Sequence, residues 1–256
     1  MLNLNKGRPL AEINGGEYDG EILYLQKDDE QQYSDESSGD NFGSDFDTDG
    51  RLDSLLDITQ RSVSYIAGPS GSGKTTYAMN LVKKYHKVFP EKEFYLFSRT
   101  DYHNDPVYQG MRINQVNINQ DLLQHPIDVE HELTGGSILL FDDCNTIQDD
   151  KLKKNIDKLM ADIMEVGRKL DITIIITNHL VIPNEKKIAR TIMNEMQSLT
   201  VFPKSGSSQQ IQYALKTYFG LNKNQIQQII ELPSRWVTIH KNYPMCVVYE
   251  HGCFIL

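Results

Sequence analysis

Apolar positions along the chain fall into short continuous runs separated by stretches of helical or polar rhythm, and that alternation predicts an α/β fold. Residues 62–67 (SVSYIA), 93–98 (EFYLFS) and 137–143 (SILLFDD) read as strands, with 111–118 (MRINQVNI) as a weaker one. The run ITIIIT at 172–177 is apolar on both faces, as a central strand of a parallel sheet must be. Between these runs, 75–87 reads as a helix. A second helix carries Leu152, Ile156, Leu159, Ile163, Val166 and Leu170 on one face. Further on, 185–196 is helical and 199–202 is strand-like. Two helices follow at 209–219 and 223–230, with Gly220 as a stop and Asn222 as a cap. The stretches 235–240 (RWVTIH) and 246–250 (CVVYE) predict an antiparallel pair. At the start of the chain, 9–26 predicts a hairpin turning through Gly15-Gly16.

Charge changes the picture in one place. Of the 35 acids, nine lie in 28–49, which has no Lys or Arg, so the rest of the chain is neutral against its 26 basic residues. A segment so acidic and so poor in apolar residues cannot bury enough surface to order itself. The expected organisation is therefore an N-terminal β hairpin (1–26), a disordered acidic linker (27–50) and one α/β domain (51–256). No apolar run approaches the roughly 18 residues of a membrane span, and the N-terminus lacks a signal-peptide core. Cys144, Cys246 and Cys253 form no C-x-x-C pair, which predicts a reducing, non-secreted compartment.

The chemistry concentrates after the first domain strand. GPSGSGKTT, residues 68–76, fits G-x-x-x-x-G-K-[ST] with Gly68, Gly73, Lys74 and Thr75. Such a loop curls its backbone N–H groups around phosphates, so Gly68, Ser70, Gly71, Ser72, Gly73, Lys74, Thr75 and Thr76 form a candidate nucleotide cradle. Lys74 supplies a point charge, and Thr75 offers a hydroxyl to Mg²⁺. Asp142 ends an apolar strand about 70 residues later, where a phosphate-loop protein holds that Mg²⁺. Asp143 follows as the candidate for activating water, one methylene shorter than the Glu usual there. Asn178, with His179 as second choice, ends the ITIIIT strand and is a candidate γ-phosphate sensor; a local cap is the plainer role. Arg168 is a candidate γ-phosphate ligand in its own or a neighbouring subunit, with a surface salt bridge as the alternative. A GTPase is disfavoured, because Asn222-Lys-Asn-Gln225 has Gln where a base-reading Asp belongs. A small-molecule kinase lacks its Arg-rich lid.

The order GPSGSGKTT, ILLFDD, EVGRKLDITIIITNH resembles the viral genome-packaging ATPases of large DNA viruses, the poxvirus and giant-virus branch of the FtsK–HerA superfamily. Gly167-Arg168-Lys169 and Asn178-His179 stand where that family shows a G-R-H-like element and a polar residue, often Gln. The resemblance covers about 51–256. It implies a P-loop NTPase three-layer sandwich with a mainly parallel sheet of the additional-strand type, beside the small hairpin and the C-terminal antiparallel pair. It further implies ATP and Mg²⁺ as cofactors, a homo-oligomeric ring moving double-stranded DNA, capsid proteins as partners, and residence in a viral factory of the host cytoplasm or in the virion. The alternative from a different class is a nucleotide-gated interaction protein with weak hydrolysis, and a small-molecule kinase stands third.

Overall fold

A computed structural model of the chain describes residues 1–27 and 41–256. They divide into two compact units, one formed by 1–59 with 197–256 and the other by 60–196. Among the described residues no helix is long and apolar enough to cross a membrane.

The first unit begins with β1 (Leu2–Asn3), β2 (Arg8–Asn14), β3 (Ile22–Leu25), β4 (Asn41–Gly43), β5 (Asp45–Asp47) and β6 (Arg51–Ser54). The β2 and β3 strands pair antiparallel, as the expected hairpin would, but within a five-stranded sheet ordered β4-β1-β3-β2-β6. The expected linker needs correction. Its residues 28–40 lie outside the described residues, whereas 41–43 and 45–47 are strands. The mean composition of this segment conceals a period of two. Asp45 and Asp47 point outward while Phe46 between them is 2% exposed and packs with Phe42 and Tyr18, at ring-centroid distances of 4.5 and 5.9 Å. The carboxylate of Asp47 accepts a hydrogen bond from the Tyr249 hydroxyl at 2.6 Å.

The second unit holds β7 (Val63–Ala67), α1 (Lys74–Val88), β8 (Phe94–Ser98), β9 (Asn114–Asn117), the short α2 (Asp121–Gln124) and α3 (Val129–Glu132), β10 (Ile138–Phe141), α4 (Asp150–Val166), β11 (Thr173–Asn178) and α5 (Lys186–Glu195). Its five strands are all parallel, in the order β7-β11-β10-β8-β9. Thus β11 lies between the strand that precedes the glycine loop and the strand that ends in two acids, which is the additional-strand arrangement. Every residue of β7, β10 and β11 is buried, because helices cover both faces of a parallel sheet. Phe97 and Phe141 stack at 4.4 Å between neighbouring strands. Consecutive strands here are joined by helices, so all the loops that follow strand C-termini gather at one edge of the sheet.

The chain then returns to the first unit through β12 (Ser198–Val201), α6 (Ser208–Phe219), α7 (Lys223–Glu231), β13 (Val237–His240), β14 (Cys246–Tyr249) and β15 (Gly252–Ile255). The predicted C-terminal pair is β13 with β14. It is extended by β12 on one side and by β15 and β5 on the other. Residues 51–256 therefore do not form a unit of their own: the last sixty residues group with the N-terminal segment. Asn222 caps α7 in a reciprocal box with Gln225.

Candidate functional site

The glycine loop leaves β7 at Ala67 and enters α1 at Lys74. Gly71 and Gly73 take φ of 76° and 99°, conformations that a Cβ would strain, and these two inversions make the loop curl. The N–H of Gly68 donates to the Asn178 carbonyl at 3.0 Å and ties the loop to the end of β11. No side chain caps α1 and its first turn contains no acid, which leaves the positive end of the helix free for an anion. Lys74 is 4% exposed, and its Nζ lies 3.3 Å from the Pro69 carbonyl and 3.6 Å from Asp143 Oδ1.

Asp142 is the centre of a hydroxyl cluster. Its Oδ1 accepts from Thr177 Oγ1 at 2.7 Å and Thr75 Oγ1 at 3.2 Å, and its Oδ2 from the Tyr108 hydroxyl at 2.9 Å. Burial raises the Asp142 pKa above its ordinary value. Thr177, Tyr108 and Thr75 oppose that shift, and the neighbouring Asp143 reinforces it. Burial, then the charge of Asp142, pushes the Tyr108 phenol far upward, so it stays a donor. Asp143 takes left-handed φ 47° and ψ 36°, a conformation rarely adopted by non-glycine residues. Its N–H donates to Thr177 Oγ1 at 2.9 Å, and its carbonyl accepts from Thr146 Oγ1 at 2.9 Å. That backbone turn aims the carboxylate back toward Lys74 and toward His179 Nε2, which lies 3.4 Å from Oδ2.

The structure thus gathers Lys74, Thr75, Asp142, Asp143 and His179. It treats Asn178 and Arg168 differently. The Asn178 side chain is buried, and its Oδ1 accepts from the Leu180 N–H at 2.9 Å, a local turn that leaves His179 as the residue facing Asp143. Arg168 precedes β11 and therefore lies at the strand end opposite Asp143. Six residues at ~3.3 Å each separate the two ends. It pairs with Glu195 at 2.8 Å. Of the roles expected for Arg168, this pairing is the surface salt bridge, and the placement sets the side chain away from Asp143 of its own subunit. Sequence reasoning missed Thr177 and Tyr108. Thr177 looked like one more β-branched strand residue, and Tyr108 sits in a short 3₁₀ turn, Pro106–Tyr108, with no apolar rhythm to flag it.

These residues fit a magnesium nucleotide. A hydroxyl and a carboxylate 3.2 Å apart are hard oxygen donors of the kind Mg²⁺ takes when phosphates complete its shell. The Ser72 Oγ in the loop is buried and, among the described residues, has no hydrogen-bond partner, an acceptor-donor left for a phosphate oxygen. Fold and site together define the architecture of the P-loop ATPases.

No family model matches the chain. The Sputnik virophage protein "Uncharacterized protein V3" is 36% identical over 259 residues, spanning 98% of this chain and 97% of that protein. The chain belongs to the family of this virophage protein. Among solved structures, B204, the DNA-packaging ATPase of Sulfolobus turreted icosahedral virus, superposes with a TM-score of 0.51 at 11% identity, over 75% of this chain and 98% of that one. The genome-packaging NTPase B204 of Sulfolobus turreted icosahedral virus 2, in complex with sulfate, gives 0.51 at 9% identity, over 73% and 95%. The cytoplasmic domain of the Thermomonospora curvata type VII secretion ATPase EccC gives 0.51 at 14%, over 83% of this chain and 28% of that one. At these identities the shared property is the fold.

Proposed function

We propose that the protein is an ATP-hydrolysing motor that moves double-stranded DNA, packaging a viral genome into a capsid as a homo-oligomeric ring. The observation that carries the hydrolytic part is the cluster Lys74–Asp143 and Thr75–Asp142–Thr177, assembled at the ends of β7, β10 and β11 in additional-strand order. The shared fold with viral packaging ATPases, and membership of a virophage protein family, support the DNA-moving part.

The residues divide the work as follows. Loop N–H groups and Lys74 take the β- and γ-phosphates, and Thr75 with Asp142 would hold the metal. Mg²⁺, when bound, neutralises charge on the phosphate oxygens. Tyr108 and Thr177 keep the Asp142 carboxylate oriented. Lys74 Nζ lies 3.6 Å from Asp143 Oδ1. A γ-phosphate would compete for that ammonium and free the Asp143 carboxylate to orient a water and accept its proton as the water oxygen attacks phosphorus and the bond to the β–γ bridging oxygen breaks, with ADP as the leaving group. His179, beside Asp143, is placed to carry the proton onward. Because Arg168 cannot serve its own site, a transition-state arginine of this kind belongs to a neighbouring subunit.

The short Asp143, held by Lys74, favours one second reading: a nucleotide-gated interaction protein that binds ATP and hydrolyses it poorly. ATP turnover with and without duplex DNA, measured beside the assembly state, separates the two. The motor reading expects turnover that rises with DNA in an oligomeric protein and vanishes in Lys74→Ala. Tight ATP binding without turnover under any DNA condition overturns it in favour of the switch.

A further inference from the structure

Six basic side chains on α4 and α5 take no part in the nucleotide site. Lys151, Lys154 and Lys158 stand at i, i+3 and i+7 of α4 and share one stripe, while Lys186, Lys187 and Arg190 occupy the first half of α5. All six are exposed. Among the described residues none makes an ion pair or side-chain hydrogen bond, whereas the neighbouring cations Lys153 and Arg168 are bound to Asp157 and Glu195. The two helices pack against each other. Helix stability does not explain this placement. The first turn of α5 holds lysines and no acid, the reverse of what the macrodipole favours. On α4 the same stripe turns acidic only at its far end, at Asp162 and Glu165. Near the lysines, the Asp149 carboxylate is engaged in capping Lys151 N and Leu152 N and in accepting from Gln120. Asp150 and Glu185 are the acids left at that end.

The location matters as much as the charge. α4 follows β10 and α5 follows β11, so the basic halves of both helices start from the sheet edge that carries Asp142, Asp143 and Thr177. We propose that this α4–α5 face binds the phosphate backbone of double-stranded DNA. The proposal rests on the motor reading and gives the track a place on the molecule. Exposed, unpaired cations spread over two helices suit a continuous polyanion, which presents about one charge per 1.7 Å of duplex axis. A single bound phosphate would instead call for converging, buried donors. Contacts of this kind position the backbone and read no sequence, as a translocating protein requires. Connections as short as 142–149 and 179–185 link the face to the residues that sense the nucleotide.

The test uses the full chain in two triple variants, Lys151/Lys154/Lys158→Gln and Lys186/Lys187/Arg190→Gln, with Lys204/Lys216/Lys223→Gln as an exposed control on the other unit. Affinity for a fluorescent duplex is measured by anisotropy across a salt series, beside ATP affinity and sedimentation. Each face variant is expected to lose about tenfold or more in affinity at low salt. The slope of log affinity against log salt should fall by about one for each side chain removed, with ATP affinity, oligomeric state and the control unchanged. A parent that binds DNA and is stimulated by it, with face variants of equal affinity and slope, overturns this surface and leaves the motor standing. Face variants that change oligomeric state but not intrinsic DNA affinity reassign the face to a second copy of the chain and also overturn it. A parent that binds no duplex at low salt overturns the surface and the DNA-moving function together.

Discussion

At the residue scale, the proposed hydrolysis rests on Asp143. Its left-handed backbone, a conformation that aspartate adopts more readily than most non-glycine residues, is held by Thr177 and Thr146 and aims the carboxylate. Asp143→Asn is expected to keep ATP binding and lower turnover by about 10²–10⁴-fold, the usual effect of removing a general base. Turnover at the parent rate would assign the water to another group, with His179 next in line. Tyr108 makes a separate claim. Its hydroxyl donates to the Asp142 oxygen that Thr75 and Thr177 leave open, so in the proposed site it would orient a metal ligand without touching the phosphates. Outer-shell partners of this type are worth about 10–100-fold in metal affinity or activity. Tyr108→Phe should therefore raise the Mg²⁺ concentration needed for tight ATP binding by that order and leave binding in excess chelator unchanged. An unaltered Mg²⁺ dependence would reduce Tyr108 to packing. Lys74, Thr75 and Asp142 were legible in the sequence because their chemistry is tied to a contiguous loop and a strand end. Thr177 and Tyr108 were obscured, and His179 stood second to Asn178, because their importance comes from which side chains they meet.

At the scale of elements, the parallel strands announced themselves by composition. ITIIIT is apolar on both faces and SVSYIA and SILLF are short apolar-rich runs, and the strands they form, β11, β7 and β10, are buried throughout. The strands β4 and β5 did not, since their three-residue lengths offer too few alternations to outweigh the surrounding acids. Their worth rests on Phe46, 2% exposed between two outward aspartates and clustered with Phe42 and Tyr18. Truncating a buried aromatic typically costs about 3–5 kcal/mol. Phe46→Ala should lower the unfolding free energy of the first unit, measured by denaturant titration, by an amount of that order, while nucleotide binding at the glycine loop of the second unit survives. A loss below about 1 kcal/mol would mean that this strand is dispensable.

At the scale of the whole molecule, the net charge of −9 equals the nine acids of 28–49, the rest of the chain being neutral. Of the nine acids in 28–49, Asp45, Asp47 and Asp49 belong to the stretch 41–50, which contains β4 and β5, so a deletion of the whole acidic region would remove structure as well as charge. Replacing only Asp28, Asp29, Glu30, Asp35, Glu36 and Asp40 by their amides separates the two effects. A polyanion on the same chain competes with DNA for exposed cations, and such competition is screened by salt. The amide variant is expected to bind duplex DNA more tightly than the parent at low salt, to converge with it as salt rises, and to bind ATP equally well. Equal DNA affinities at low salt would assign the segment to another partner.

The sequence by itself determined the strand-loop-helix that cradles phosphate, the acid strand, the central apolar strand and thus the class of fold, because each depends on contacts between near neighbours and on a periodicity of burial. Only the tertiary structure decided the rest. It ordered β11 between β7 and β10, which brings Thr177 onto Asp142 and His179 onto Asp143. It set Arg168 at the far end of β11, bound to Glu195, and turned the Asn178 side chain into its own loop. It also joined 197–256 to the first 59 residues. Strand order and pairing between distant segments are long-range choices, settled by which surfaces bury one another, and a linear pattern of apolar positions carries the propensity of each strand but not the identity of its neighbour.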